Sequence, residues 1–201
     1  PKILQIKKII NNVTESILEL KPDIIISIDS PDFTLRIAKK IKSRNSNIKI
    51  LHYVAPSVWG WRPNRIYTVK SAVDKLLTIL PFEKKLFEEK QVATTFVGHP
   101  ITDKIKPKIT FDEFNNKYIT GNKKPILLIL PGSRKPEIDK LLNIYLNAVE
   151  DCNFYDNFSL VLPIKKQLAS YVRNIINAKK ISFDVTILDN EEAKYESFVV
   201  A

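Results

Sequence analysis

The chain has 201 residues, 44% of them hydrophobic, which suffices for one large core or two small ones. Its formal charge of +10 is carried mostly by lysine, but no window is purely basic and no nucleic-acid motif occurs. A nucleic-acid partner is therefore not expected, while a basic face toward anionic lipid or phosphorylated sugars stays open. The single cysteine, Cys152, excludes an internal disulfide, and the two separated histidines exclude a zinc set.

In chain order, Ile6, Ile9, Ile10, Val13, Ile17 and Leu20 keep helical spacing, and Lys21-Pro22-Asp23 ends that helix. Apolar runs then predict strands at 24–28, 48–54, 76–80 and 95–97, with helices between them at about 33–45, 64–73 and 82–90. Strands apolar on both faces that alternate with helices predict a parallel sheet covered on both sides. From 102 to 124 the composition shifts to Lys, Asn, Thr and Pro, with a short helix near 111–118, and this stretch reads as a linker. The alternation restarts with strands at 126–130, 159–162 and 184–188 and helices at about 136–150, 167–178 and from 191 onward. The expected fold class is α/β, with a first domain over 1–101 and a second over 125–201. No run reaches transmembrane length and no signal peptide opens the chain. Cys152 reads as a small apolar core residue.

Ligands of open parallel sheets bind outside the carboxyl ends of the strands. Five loops follow strands directly here, and they collect both tryptophans and every glycine except Gly121. Asp29 and Asp32 follow the first strand. A carboxylate at a strand end can act as general base; either can instead cap the next helix, a role that suits Asp32 and leaves Asp29 the better catalytic candidate. Two acids three residues apart across a proline are a poor ligand pair, and no metal is expected. The loop that contains Ser57, Trp59, Gly60, Trp61 and Arg62 lies between Pro56 and Pro63. Its indoles suit sugar stacking, an acyl chain or a membrane edge; they can equally close the sheet end as core.

His52 lies inside a strand and reads as a buried, satisfied histidine. His99, between Gly98 and Pro100, is a candidate ligand contact, and Glu83 reads as support for a helix start. In Pro131-Gly132-Ser133-Arg134 a buried strand meets a helix start, where free amides and the positive dipole end favour phosphate. Gly132 lets the backbone approach, Ser133 can donate and Arg134 can grip two oxygens. The alternative is an ordinary turn with Ser133 as N-cap.

Together these residues resemble lipid-A-disaccharide synthases. Ile28-Asp29-Ser30-Pro31-Asp32-Phe33, His52-Tyr53-Val54-Ala55-Pro56-Ser57-Val58-Trp59-Gly60-Trp61-Arg62, Leu80-Pro81-Phe82-Glu83, Gly98-His99-Pro100 and Leu130-Pro131-Gly132-Ser133-Arg134 occur in the family's order and spacing. The resemblance covers about residues 16–200 and implies two doubly wound Rossmann-like domains of glycosyltransferase-B type, both incomplete here. It implies inverting, metal-free and cofactor-free transfer of a diacylglucosamine from UDP-2,3-diacylglucosamine to the 6-hydroxyl of 2,3-diacylglucosamine 1-phosphate. The family's setting is the cytoplasm, peripheral to the inner membrane. By motif, Asp29 matches the proposed general base and Arg134 the arginine near the donor diphosphate. Gly132 and Ser133 would join Arg134, and Asp32, Ser57, Trp59, Trp61, Arg62 and His99 would contact acceptor or lipid. The family's amino-terminal glycine-rich loop and its later serine-glycine-threonine turn are absent, and the chain opens on Pro1 without any Met. It is expected to be an internal fragment, about half of an enzyme and inactive alone. The rival readings are another UDP-sugar-dependent glycosyltransferase and a basic nucleic-acid-binding module.

Overall fold

The computed structural model describes residues 2–105, 109–119, 124–152 and 155–201. The chain divides into two compact units, Pro1–His99 and Pro100–Ala201.

The first unit runs α1 (Lys2–Leu20), β1 (Ile24–Ile28), α2 (Pro31–Arg44), β2 (Lys49–Tyr53), α3 (Arg65–Ala72), β3 (Lys75–Thr78), α4 (Pro81–Glu88) and β4 (Thr94–Phe96). Its four strands are parallel and lie in chain order, β1-β2-β3-β4. Right-handed crossovers between sequential neighbours put every connecting helix on one face of the sheet. Ile50 and Leu76 point to that face and pack with Leu35, Ile41, Val69 and Phe87 into one core. The opposite face has no such cover among the described residues: Ile24, Ile26 and Ile28 of β1 are 50%, 61% and 63% exposed. The expectation of a sheet covered on both sides thus holds for one face of this unit. Apolar composition showed that β1 can be buried, but the crossover geometry decides which face is.

The second unit runs α5 (Ile101–Lys104), α6 (Phe111–Tyr118), β5 (Ile126–Leu128), α7 (Lys135–Asp151), a 3-10 turn (Tyr155–Asn157), β6 (Ser159–Pro163), α8 (Lys166–Lys179), β7 (Val185–Leu188) and α9 (Glu191–Val200). Its three strands are parallel in the order β5-β6-β7. Here both faces are covered, and every residue of β6 is buried. Leu160 and Leu162 pack with Ile138, Leu142 and Leu146 of α7 and Val172 of α8. Val161, one residue out of phase, packs on the other side with Phe114 of α6 and Ala193 of α9. Residues from the stretch expected to act as a linker therefore build core: Phe114 is fully buried, and Thr110 caps α6 by accepting from Glu113 N. Residues 106–108 and 120–123 of that stretch lie outside the described residues. Cys152, expected in a core, is exposed at the C-terminal end of α7.

One carboxylate ties the first unit together below its sheet. Asp74 Oδ2 accepts from Ile50 N at 2.7 Å and from Lys42 Nζ at 2.6 Å, which joins α2 and β2 to the start of β3. Replacing Asp74 with alanine leaves the Ile50 amide without its acceptor and leaves the largely buried Lys42 ammonium only the Ser46 and Ile48 carbonyls, with no opposite charge. Urea denaturation should show a loss of about 1.5–3 kcal/mol, the range for hydrogen bonds to charged groups. A loss below about 0.5 kcal/mol would mean that this bridge is incidental.

Candidate functional site

The carboxyl end of β1 turns into α2 within two residues, and both are left-handed: Asp29 has φ 51° and Ser30 φ 47°. The corner is held by hydrogen bonds. Asp29 N donates to Tyr53 O at 2.9 Å, and Thr34 Oγ1 lies 2.8 Å from Asp29 O and 3.1 Å from Ser30 O. Pro31, with its preset φ, begins the helix. The Asp29 backbone is thereby fixed while its side chain stands exposed at the sheet end.

Asp32 is not the cap it was expected to be. Ser30 occupies that position and makes no side-chain cap bond, and Asp32 falls in the first turn of α2. Its carboxylate pairs with Arg65, whose side chain is only 13% exposed, and lies 3.7 Å from Arg62 Nη1. This joins the loops after β1 and β2. In the second loop Ala55 and Val58 are buried, and Ser57 O accepts from Gly60 N and Trp61 N at 3.1 and 3.2 Å. The tryptophans are not core: Trp59 is 53% and Trp61 55% exposed. Trp59 meets Phe82 edge-on, with ring centroids 5.5 Å apart, and the Arg62 guanidinium lies 4.3 Å from the Trp61 ring centroid. Ser57 and Arg62 are exposed on the same loop. Phe82, Arg65 and Thr34 escaped the sequence reading. Phe82 lies in one of the five motifs; the other two lie at helix starts, where their spacing reads as helix alone.

Behind this surface His52 is fully buried in β2. Its Nδ1 is 2.8 Å from Ser27 Oγ, while Nε2 has no hydrogen-bond partner in the structure. It is buried as expected but only half satisfied. Ser27 Oγ also lies 3.3 Å from Leu51 O, so the hydroxyl can serve the ring nitrogen or the carbonyl. Burial holds the imidazole pKa below its usual 6.5, against the opposing pull of the Asp29 charge and the Val54 carbonyl. In the next loop Gly98 takes φ 82° and half-buried His99 follows it.

In the second unit, β5 leads through buried Ile129 and Pro131 to Gly132, with φ 110°. Arg134 holds the N-cap position of α7, so Ser133 is not the cap. Ser133 and Arg134 are exposed. Glu137, one turn into the helix, folds back over them. Its Oε2 accepts from Ser133 N at 2.8 Å and Arg134 N at 3.2 Å, and its Oε1 from Arg134 Nη1 at 3.0 Å. Among the described residues no group of three or more His, Cys, Asp or Glu is placed to hold a metal ion. No described helix is long and apolar enough to cross a membrane.

Residues 1–201 match the family model described as lipid-A-disaccharide synthetase. The chain belongs to this family. It is 34% identical over 193 residues to the lipid-A-disaccharide synthase of Alcanivorax borkumensis, covering 95% of this chain and 49% of that protein. It is 36% identical over 192 residues to that of Wigglesworthia glossinidia brevipalpis, again 49% of its length. The chain thus spans about half the length of the curated relatives it matches. Among solved structures it is similar to UDP-GlcNAc 2-epimerase from Neisseria meningitidis bound to UDP-GlcNAc, with TM-score 0.58 and 16% identity over 96% of this chain and 56% of that one. The Staphylococcus aureus MnaA-UDP co-structure gives TM-score 0.61 at 16% identity, over 98% of this chain and 56% of that one. These likenesses establish the fold: Rossmann-like parallel α/β units of the glycosyltransferase-B type.

The buried imidazole sets a pH dependence. With its folded pKa below 6.5, His52 takes up a proton more readily in the unfolded chain. Its contribution to stability is present above 6.5 and is lost as pH falls through the folded value. The urea midpoint should drop on going from about pH 7 to about pH 5, and His52→Asn should flatten that drop. Identical slopes in the two proteins would assign the acid sensitivity to other groups.

Proposed function

We propose that this chain carries the central part of an inverting hexosyltransferase of lipid A biosynthesis. The reaction moves 2,3-diacylglucosamine from its UDP donor to the 6-hydroxyl of 2,3-diacylglucosamine 1-phosphate, giving lipid A disaccharide 1-phosphate and UDP. The observation that carries the reading is Asp29: an exposed carboxylate on a strained, hydrogen-bonded corner at a strand end, in a chain matched by the family model throughout.

As the acceptor oxygen bonds to the anomeric carbon, its proton passes to the Asp29 carboxylate, and the bond from that carbon to the UDP oxygen breaks. Attack opposite the departing UDP inverts the anomeric centre. The growing negative charge on the diphosphate needs donors already in place, and Arg134 with the amides of Ser133 and Arg134 supplies them. Under this reading residues 1–101 carry the acceptor side and 125–201 the donor side, and 102–124 link them while lending Phe114 to the second core. Asp32, Ser57, Trp59, Trp61, Arg62 and His99 meet the acceptor or its lipid. Exposed Ile3, Leu4, Ile6 and Ile9 on α1, interspersed with Lys7 and Lys8, favour a peripheral place at the cytoplasmic face of the inner membrane. Another UDP-sugar transferase is the second reading; the exposed Trp59–Phe82 pair weighs against a soluble sugar acceptor.

In an active enzyme that contains this chain, Asp29→Asn should reduce turnover at least about 100-fold and leave UDP affinity unchanged. Near-normal turnover would remove Asp29 from the base role. Arg134→Ala should weaken UDP binding by about 1.5–3 kcal/mol, and Arg134→Lys should restore only part, because lysine lacks the planar fork. Calorimetry that returns one affinity for all three proteins would refute the assignment.

A further inference from the structure

The donors that the proposed reading assigns to the diphosphate are already occupied. Ser133 N and Arg134 N each have one hydrogen, and both point at Glu137 Oε2; Arg134 Nη1 points at Oε1. Resting on that reading of Gly132–Arg134 as the donor seat, we propose that Glu137 is an internal anion that fills the seat in the free protein and must be displaced by the diphosphate. Donor binding is then an exchange of one anion for another.

The fit around the carboxylate supports this. A Cβ added to Gly132 would lie 2.6 Å from both Glu137 Cβ and Oε2. In this state the missing side chain of Gly132 makes room for Glu137. The Ser133 amide, and then Arg134, hold the Glu137 carboxyl below its usual pKa, so it is ionised at neutral pH. It also has a way out: its side chain is 36% exposed and that of Arg134 78%, so the carboxylate can rotate into water and leave amides and guanidinium behind. A helix-capping role alone would use the same amides, but it would not make ligand affinity depend on the charge at 137.

Exchange makes Glu137 a determinant of specificity. A weak monoanion gives back fewer charge-assisted bonds than the carboxylate takes away. A diphosphate spans guanidinium and amides at once and can replace all three.

Glu137→Gln separates the charge from the cap, since glutamine keeps an acceptor oxygen for the amides. Calorimetry at constant pH would use UDP and inorganic pyrophosphate on the protein, on Glu137→Gln and on Arg134→Ala. The Gln variant should bind both ligands about tenfold tighter, or 1.4 kcal/mol, and Arg134→Ala should bind both more weakly. Equal or weaker binding by the Gln variant, with Arg134→Ala still weakened, overturns the exchange and leaves the donor seat standing. Unchanged binding in Arg134→Ala removes the donor seat and the exchange together. Should the Gln variant not fold, carbon-detected NMR titration of the unaltered protein decides. The Glu137 carboxyl should titrate below its usual 4.5 in the free protein and move upward when UDP saturates the site. A titration that UDP does not move overturns the proposal.

Discussion

A parallel strand that passes straight into a helix must settle its last carbonyls and the helix's first amides within a few residues. Most of the chemistry in this chain follows from how three such corners meet that demand. At β1–α2 the backbone turns left-handed twice and Thr34 returns its hydroxyl to the carbonyls. At β3–α4 Glu83 Oε2 accepts from Leu80 N at 3.0 Å. At β5–α7 Glu137 does the same for Ser133 and Arg134. The last two are the same device in different settings. Glu83 is 2% exposed and has nowhere to go, so it is structural. Glu137 lies at the surface beside a glycine and an exposed guanidinium, so its amides can be released to another anion.

The two sheets show how strand order controls burial. Alternate residues of β6 feed separate clusters, α7 and α8 on one side and α6 and α9 on the other, and the strand is buried throughout. β1 has the same apolar composition but sits at the edge of a sheet whose crossovers all fall on one face. Its outer face presents isoleucines to solvent.

This explains what was legible. The strand at 24–28 is read to the residue because an apolar run is bounded by Pro22-Asp23 and Asp29, and the long helices carry their 3.6 period openly. Asp29, Trp59, Trp61 and Arg134 stood out because strand ends expose them in loops. Cap identities did not, because they depend on φ and ψ rather than residue type: Ser30 takes the position expected of Asp32, and Arg134 the one expected of Ser133. Glu137, Arg65 and Thr34 were invisible for a related reason. Each lies inside a helical pattern that already accounts for it, and only the fold shows what its side chain reaches. The one-turn helix α5 is too short to show a period. Phe114 and Ile119 were masked by polar neighbours, although they complete the core beside α9.

The corner at Asp29 carries the strongest physical argument for function. A left-handed non-glycine residue costs on the order of 1–3 kcal/mol, and two adjoin here. Glycine would take the same backbone without that cost, and the chain uses it so at Gly98 and Gly132. At position 29 glycine would relieve the strain and remove the carboxylate. Aspartate is among the residues that tolerate this region best, and the surrounding bonds from Asp29 N to Tyr53 O and from Thr34 to both carbonyls offset part of the cost. Among the described residues Lys21, Val54, Arg62, Gln91 and Lys180 are also left-handed without being glycine; Asp29 is the acidic residue of that set, and it lies at the mouth of the sheet. Packing gains nothing from this, because the side chain is exposed. What the corner fixes is the backbone from which the carboxylate projects, which under the proposed reading sets a general base at the strand end.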